Sequence, residues 1–139
     1  MKIVLDLETN GFLDKDNLVI HCIVCKDIET YQVYTFNPDN LNDCLEFLNN
    51  VEVIIGHNVL GFDIPVLKKL TGVDLSGKKL IDTLVLSRLF NPVREGNHGL
   101  ESWGFRLDCP KIEFNNYQTF SIDMVKYCER DVLLNKRVY

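Results

Sequence analysis

The chain opens on Ile3-Val4-Leu5-Asp6-Leu7-Glu8, where Ile3, Leu5 and Leu7 alternate with Val4, Asp6 and Glu8. A period of two predicts a strand whose one face is apolar and whose other face ends in two acids. Val19 to Cys25 and Tyr31 to Phe36 read as two more strands, joined as a hairpin by the turn Lys26-Asp27-Ile28-Glu29. Leu41, Cys44, Leu45 and Leu48 then recur at helical spacing, with Asn40 placed to cap that helix. Val51 to Ile55 is a short apolar strand ended by Gly56.

Gly56-His57-Asn58-Val59-Leu60-Gly61-Phe62-Asp63-Ile64-Pro65 reads as a loop opening a helix, with Asp63 in the capping place before Pro65. That helix should run to about Leu70 and stop at Thr71-Gly72. Leu80-Ile81 forms a fifth strand, and Asp82-Thr83 caps a helix that ends at Leu89-Phe90, before Pro92. Asn97 caps a short helix from Leu100 to Phe105, and Ser121 caps the last, from Ile122 to the chain end. The order β-β-β-α-β-α-β-α-α-α predicts an α/β fold with a mixed five-stranded sheet. Its first three strands pair antiparallel, its later ones join in parallel through crossover helices, and helices flank both faces.

The 139 residues suffice for one domain, residues 1–139, with one core. With 46% hydrophobic and 25% charged residues the composition is that of a folded globular chain rather than a disordered one. The net charge of −5 argues against a protein that grips long nucleic acid by its phosphates. Any nucleic-acid contact should be short, metal-assisted or supplemented by another domain. No apolar run approaches the length of a membrane span, and acids at positions 6 and 8 exclude a signal peptide's apolar stretch. Cys22, Cys25, Cys44, Cys109 and Cys128 are odd in number and scattered, which favours a reduced, intracellular protein of the cytoplasm.

Twenty acids in a chain of this length give about three i, i+2 acid pairs by composition alone, and there are four: Asp6/Glu8, Asp14/Asp16, Asp27/Glu29 and Glu129/Asp131. Spacing therefore decides nothing, and context does. Only Asp6 and Glu8 lie on a strongly apolar strand, side by side at roughly 6.5–7 Å between Cα atoms. Such a pair is costly unless a cation or hydrogen bonds compensate it. The plainer alternative is a strand end that reaches water. Asp63 has a plain reading as a helix cap, and Asp131, with Tyr127 one turn before it, as part of a polar helix face. Taken together, the four carboxylates make a hard-cation site suited to Mg²⁺ or Mn²⁺.

Three segments carry a resemblance. Asp6-Leu7-Glu8-Thr9-Asn10-Gly11-Phe12, His57-Asn58-x-x-x-Phe62-Asp63-Ile64-Pro65-x-Leu67 and Tyr127-Cys128-Glu129-Arg130-Asp131 resemble the three motifs of the DEDD 3′–5′ exonucleases, in the tyrosine (DEDDy) version. Ile81 to Leu89 and His98 to Leu107 are similar to segments of the proofreading domain of family A DNA polymerases from short-tailed phages. The resemblance covers residue 3 to about 134. The spacers before His98 and after Leu107 are short for that family, and the chain stops at Tyr139 with no polymerase domain following. A stand-alone nuclease, a separately encoded proofreading part and a fragment cut short at its C-terminus all fit.

The resemblance implies an RNase H-like (DnaQ-like) fold and a magnesium-dependent 3′–5′ exonuclease acting on single-stranded DNA ends in proofreading. It implies that Asp6, Glu8, Asp63 and Asp131 hold two Mg²⁺ or Mn²⁺ ions, with Asp6 shared, and that Tyr127 orients the attacking water. Glu8 and Thr9 would hold the terminal 3′-OH, and Phe12 and Leu13 would wedge beside the last base. His57, Asn58 and Phe62 would lie against the substrate, and a DNA polymerase domain or subunit is the expected partner. Rival readings are a ribonuclease of the oligoribonuclease type and a catalytically idle nuclease-fold module that binds a polymerase. Among the weaker signals, Cys22-x-x-Cys25 beside His21 lacks the second ligand pair of a structural zinc site and reads as apolar strand cysteines. Trp103 and Phe105 read as core, and His98 has no evident partner.

Overall fold

The computed structural model describes residues 1–90, 98–107, 111 and 122–139. Five strands form one sheet: β1 (Lys2–Thr9), β2 (Ile20–Asp27), β3 (Val33–Phe36), β4 (Val53–Gly56) and β5 (Lys79–Asp82), in the order β3-β2-β1-β4-β5. β1 pairs antiparallel with β2, and β2 with β3, while β1/β4 and β4/β5 are parallel. The mixed sheet expected from the alternation is therefore present, with β1 at its centre, where the parallel and antiparallel halves meet. The helices are α1 (Leu41–Asn49), α2 (Ile64–Thr71), α3 (Thr83–Phe90), α4 (Leu100–Arg106) and α5 (Ile122–Val138). None of them is long and apolar enough to cross a membrane.

The period of two in β1 sorts the core. Ile3, Leu5 and Leu7 point into one layer with Cys44 and Leu48 of α1 and Val66 and Leu67 of α2. Val4 points into the other, with Cys22 and Val24 of β2, Ile55 of β4, and Met124, Cys128 and Val132 of α5. Asp6 and Glu8 share the face of Val4, so α5 packs over the strand on the side that carries the acids. Cys22 and Cys25 fall in opposite layers, as cysteines three apart on a strand must.

Several boundaries differ from the sequence reading, each for a local reason. Lys26 and Asp27 remain in β2, and the turn follows them. Asp27 Oδ1 accepts from the backbone N–H groups of Glu29 (2.8 Å) and Thr30 (3.2 Å), and Tyr31 takes a left-handed φ of 65°, so β3 starts only at Val33. Asn40 is not the side-chain cap of α1. Asn37 caps a 3-10 turn, Pro38–Asn40, that leads into the helix, and Asn40 Oδ1 accepts from the Asn37 N–H at 2.6 Å, completing a reciprocal box. α2 ends at Gly72 with φ 74°, where a left-handed residue closes the helix. The caps expected at Asn97 and Ser121, the helix break at Pro92, Cys109 and the Phe105 side chain lie outside the described residues.

Candidate active site

The site grows from the C-terminal end of β1. Its parallel pairing with β4 ends at Val4↔Ile55, so the later backbone of β1 on that side needs another partner. Asp63 supplies it: the Leu7 N–H donates to Asp63 Oδ1 at 3.2 Å. Asp63 is therefore not the helix cap that its place before Ile64-Pro65 suggested. It makes no side-chain cap bond, has helical φ and ψ, and is buried.

The path that delivers Asp63 is set by Gly56 and Asp82. A Cβ on Gly56 would lie 2.6 Å from Val59 Cβ and 3.2 Å from the Leu5 carbonyl, so only glycine lets β4 leave the sheet here. Beyond it Asn58 takes a left-handed φ of 61°, and a π-helical turn, Val59–Asp63, carries the chain back over β1. The buried carboxylate of Asp82 anchors that turn. It accepts from the N–H groups of Asn58 (2.9 Å), Leu60 (3.1 Å) and Leu84 (2.9 Å). Asp82 thus caps α3, as expected, and also fixes the loop, which its sequence position does not reveal.

α5 brings the remaining groups. Tyr127 and Asp131 are one turn apart and both buried. A cleft of about 230 Å³ is lined by Asp6, Glu8, Asp63, Tyr127 and Asp131, together with Leu7, His57, Asn58, Phe62, Leu100 and Lys111. An adjoining cleft of about 570 Å³ shares Glu8, Asn58 and Phe62 with it, and adds Thr9, Asn10, Gly11 and Phe12. The register between β1 and β2 slips here: Glu8 faces Cys22 but Thr9 faces Ile20, leaving His21 as the extra residue of a bulge. Buried Thr9 donates through Oγ1 to the Gly11 carbonyl (2.5 Å), which shapes the turn beneath Phe12, and the Phe12 ring is 82% exposed. Leu13 does not join the cleft; it packs against the core layer of α1 and α2.

His57 lines the acid cleft, yet both its ring nitrogens are engaged. Nε2 lies 2.8 Å from the His98 carbonyl and so carries the proton. Burial lowers the His57 pKa, and Nδ1 lies 2.8 Å from Thr83 Oγ1. Thr83 in turn accepts from Asn135 Nδ2 at 2.8 Å, tying the loop to α5. His98, for which the sequence offered no partner, pairs through Nδ1 with Ser87 Oγ (2.6 Å), and that oxygen also accepts from Trp103 Nε1 (3.0 Å).

The electrostatics are those of a site short of positive charge. Burial, with Asp131 nearby, pushes the Asp6 carboxyl up to about 8. Burial and the charges of Asp6 and Asp131 push Glu8 up to about 10, and burial and Asp6 hold Asp63 well above the carboxylate range. Asp131 rises to about 6: burial raises it, while the Lys111 ammonium, 3.3 Å from Oδ2 and 5.0 Å over the Tyr127 ring, lowers it. Lys111 lies outside the quoted motifs and is the member of the site that sequence reasoning missed. Asp131 Oδ1 is buried with no hydrogen-bond partner among the described residues. An all-oxygen set of hard ligands, raised acid pKa values and an orphaned carboxylate oxygen fit a divalent cation.

No family model matches the chain. Over 96% of its length it is 28% identical to the DNA-directed DNA polymerase of Escherichia phage T7, and equally to that of Enterobacteria phage T3. It spans about a quarter of the length of each, 25%. In fold it is similar to Brucella melitensis NrnC with bound Mg²⁺ (TM-score 0.73, 19% identity, 99% of this chain and 69% of that one). NrnC bound to pGG gives a TM-score of 0.75 at 18% identity with the same coverage. The family B DNA polymerase of the hyperthermophilic archaeon Pyrobaculum calidifontis matches 98% of this chain with 23% of its own (TM-score 0.66, 15% identity). The DnaQ-like fold implied by the resemblance is thus met: the chain shares the fold of these structures and has a sequence similar to the phage DNA polymerases.

Proposed function

We propose that the protein is a divalent-metal-dependent 3′–5′ exonuclease that removes nucleoside monophosphates from the ends of single-stranded DNA, in proofreading. The observation that carries this reading is the cleft that joins Asp6, Glu8, Asp63, Asp131 and Tyr127, residues from three distant stretches of chain. Asp6, Glu8, Asp63 and Asp131 would hold two divalent ions, Mg²⁺ or Mn²⁺. Bound there, such ions supply an activated water and offset charge on the leaving 3′ oxygen.

The chain's own groups position the reactants. The Tyr127 hydroxyl orients the water. Glu8 and the Thr9 backbone receive the terminal 3′-OH, and the exposed Phe12 side chain stacks on the last base in the adjoining cleft, which Asn58 and Phe62 also line. His57 shapes the loop and presents its ring face to the substrate, because both nitrogens are occupied. Leu13 backs the Phe12 turn from the core side. The net charge of −5 is compatible with this, since only a few terminal phosphates need to be held.

DNA as substrate is supported by the likeness to phage DNA polymerases. A second substrate reading, short oligoribonucleotides, is favoured by the likeness to NrnC solved with pGG. The test is digestion of 5′-labelled single-stranded DNA and RNA with Mg²⁺ or EDTA. Mg²⁺-dependent shortening from the 3′ end, blocked by a 3′-phosphate, is expected, with DNA cut faster. Release from the 5′ end, or no cleavage with any divalent ion, would refute the assignment.

A further inference from the structure

The proposed reaction uses oxygen ligands only, yet a thiol faces them. Cys128 is fully buried on α5, and its Sγ lies 3.4 Å from Asp6 Oδ2. One ligand atom from each of Asp6, Glu8 and Cys128 can be chosen so that all lie within 4.8 Å of one another. One turn further along α5, Asp131 lines the cleft beside Asp6 and Glu8, and its Oδ1 is buried without a hydrogen-bond partner among the described residues.

Sulfur alters which ion this set prefers. Mg²⁺ takes oxygen, whereas Zn²⁺ and Cd²⁺ accept thiolate with carboxylate. Zinc bonds of about 2.3 Å to sulfur and about 2.0 Å to oxygen, at the tetrahedral angle, put the two ligand atoms about 3.5 Å apart. The Cys128–Asp6 separation of 3.4 Å already matches that edge.

We propose that Asp6, Glu8 and Cys128 form a binding site for a thiophilic divalent cation, Zn²⁺, that overlaps the hard-metal site and inhibits the enzyme by occupying two of its carboxylates. The Cys128 thiol releases its proton as the ion binds, and one coordination position stays open towards the cleft. Cys22 lies across the sheet from Glu8 and packs in the same layer, but it falls outside the three-ligand set. The inhibitory consequence rests on the exonuclease reading, whereas the binding does not.

Titration of the full chain with Cd²⁺ tests the binding without reference to activity. One equivalent should bring up an ultraviolet thiolate-to-metal charge-transfer band, absent in Cys128→Ser and kept in Cys22→Ser and Cys25→Ser. A large excess of Mn²⁺ should raise the Cd²⁺ midpoint at least tenfold, because the carboxylates are shared. X-ray absorption of the wild-type Zn²⁺ complex, which needs no variant to fold, should show one sulfur among oxygen ligands. An all-oxygen shell, a band that survives Cys128→Ser, or a midpoint indifferent to Mn²⁺ overturns the site. Zn²⁺ should inhibit Mg²⁺-supported cleavage, and Cys128→Ser should resist it at least tenfold better. Were the band and the competition seen in a protein without nuclease activity, the metal site would stand and the exonuclease reading would fall.

Discussion

Replacing Asp6 with asparagine should make the metal-free protein more stable while destroying its response to metal. Asparagine keeps the shape and can still accept from the Cys128 thiol, as Asp6 Oδ2 does at 3.4 Å. It removes a carboxyl that burial raises from 3.8 to about 8. A native-state pKa above the unfolded value means that the folded protein holds the proton longer. The penalty is absent below about pH 4, grows as pH rises, and is complete above the native value. Between 3.8 and pH 8, at 1.36 kcal/mol per pH unit, it has a ceiling of about 5–6 kcal/mol. Asp6 keeps some contact with solvent and shares the repulsion with Glu8 and Asp131, so a gain of about 1–3 kcal/mol is expected at pH 8 in EDTA. At this chain length that corresponds to a rise in Tm of about 3–12 °C. Metal should invert the order. Wild type gains about 2.7 kcal/mol at a concentration 100 times its Kd, and Asp6→Asn gains little. Thermal or urea melts at pH 4.5 and pH 8, with EDTA or Mn²⁺, measure all four corners. An Asp6→Asn protein no more stable than wild type at pH 8 in EDTA would refute the burial argument, and equal Mn²⁺ shifts would refute Asp6 as a ligand.

Tyr127→Phe keeps the ring and its packing but loses one positioning hydroxyl, so single-turnover cleavage should fall roughly tenfold to a thousandfold with metal affinity unchanged. Asp131→Ala should nearly abolish cleavage and weaken metal binding, and a Tyr127→Phe protein cleaving at the wild-type rate would reduce the tyrosine to packing. Asp82→Ala leaves the N–H groups of Asn58, Leu60 and Leu84 without their acceptor. It should cost about 2–4 kcal/mol in denaturant melts and lower activity through misplacement of Asp63, although Asp82 lines neither cleft; unchanged stability would show that the loop holds itself.

The legible parts of this protein were those where a single element carries its own instruction. The alternation in β1 fixed which residues enter each layer, because one face is unbroken aliphatic and the other ends in acids. The spacing of Tyr127 and Asp131 likewise put both on one side of α5. What the chain hides is what depends on pairing between elements. An aspartate before Ile64-Pro65 looks the same whether it caps its helix or turns to the Leu7 N–H. Lys111 lies in a stretch without apolar periodicity, so nothing marks its approach to Asp131. The proximity of Cys128 to Asp6 spans 122 positions of sequence. Engagement of both His57 nitrogens needs Thr83 and the His98 carbonyl, neither near in sequence.

α5 has a double attachment: Met124, Cys128 and Val132 close one whole layer of the core, while Tyr127 and Asp131 on the same helix enter the cleft. Proteolytic loss of that helix would therefore strip Val4, Val24 and Ile55 of their cover in the same stroke that removes Asp131 and Tyr127 from the cleft. Loss of the helix would remove core packing and cleft side chains in one event, whereas single substitutions such as Asp6→Asn or Tyr127→Phe separate the two.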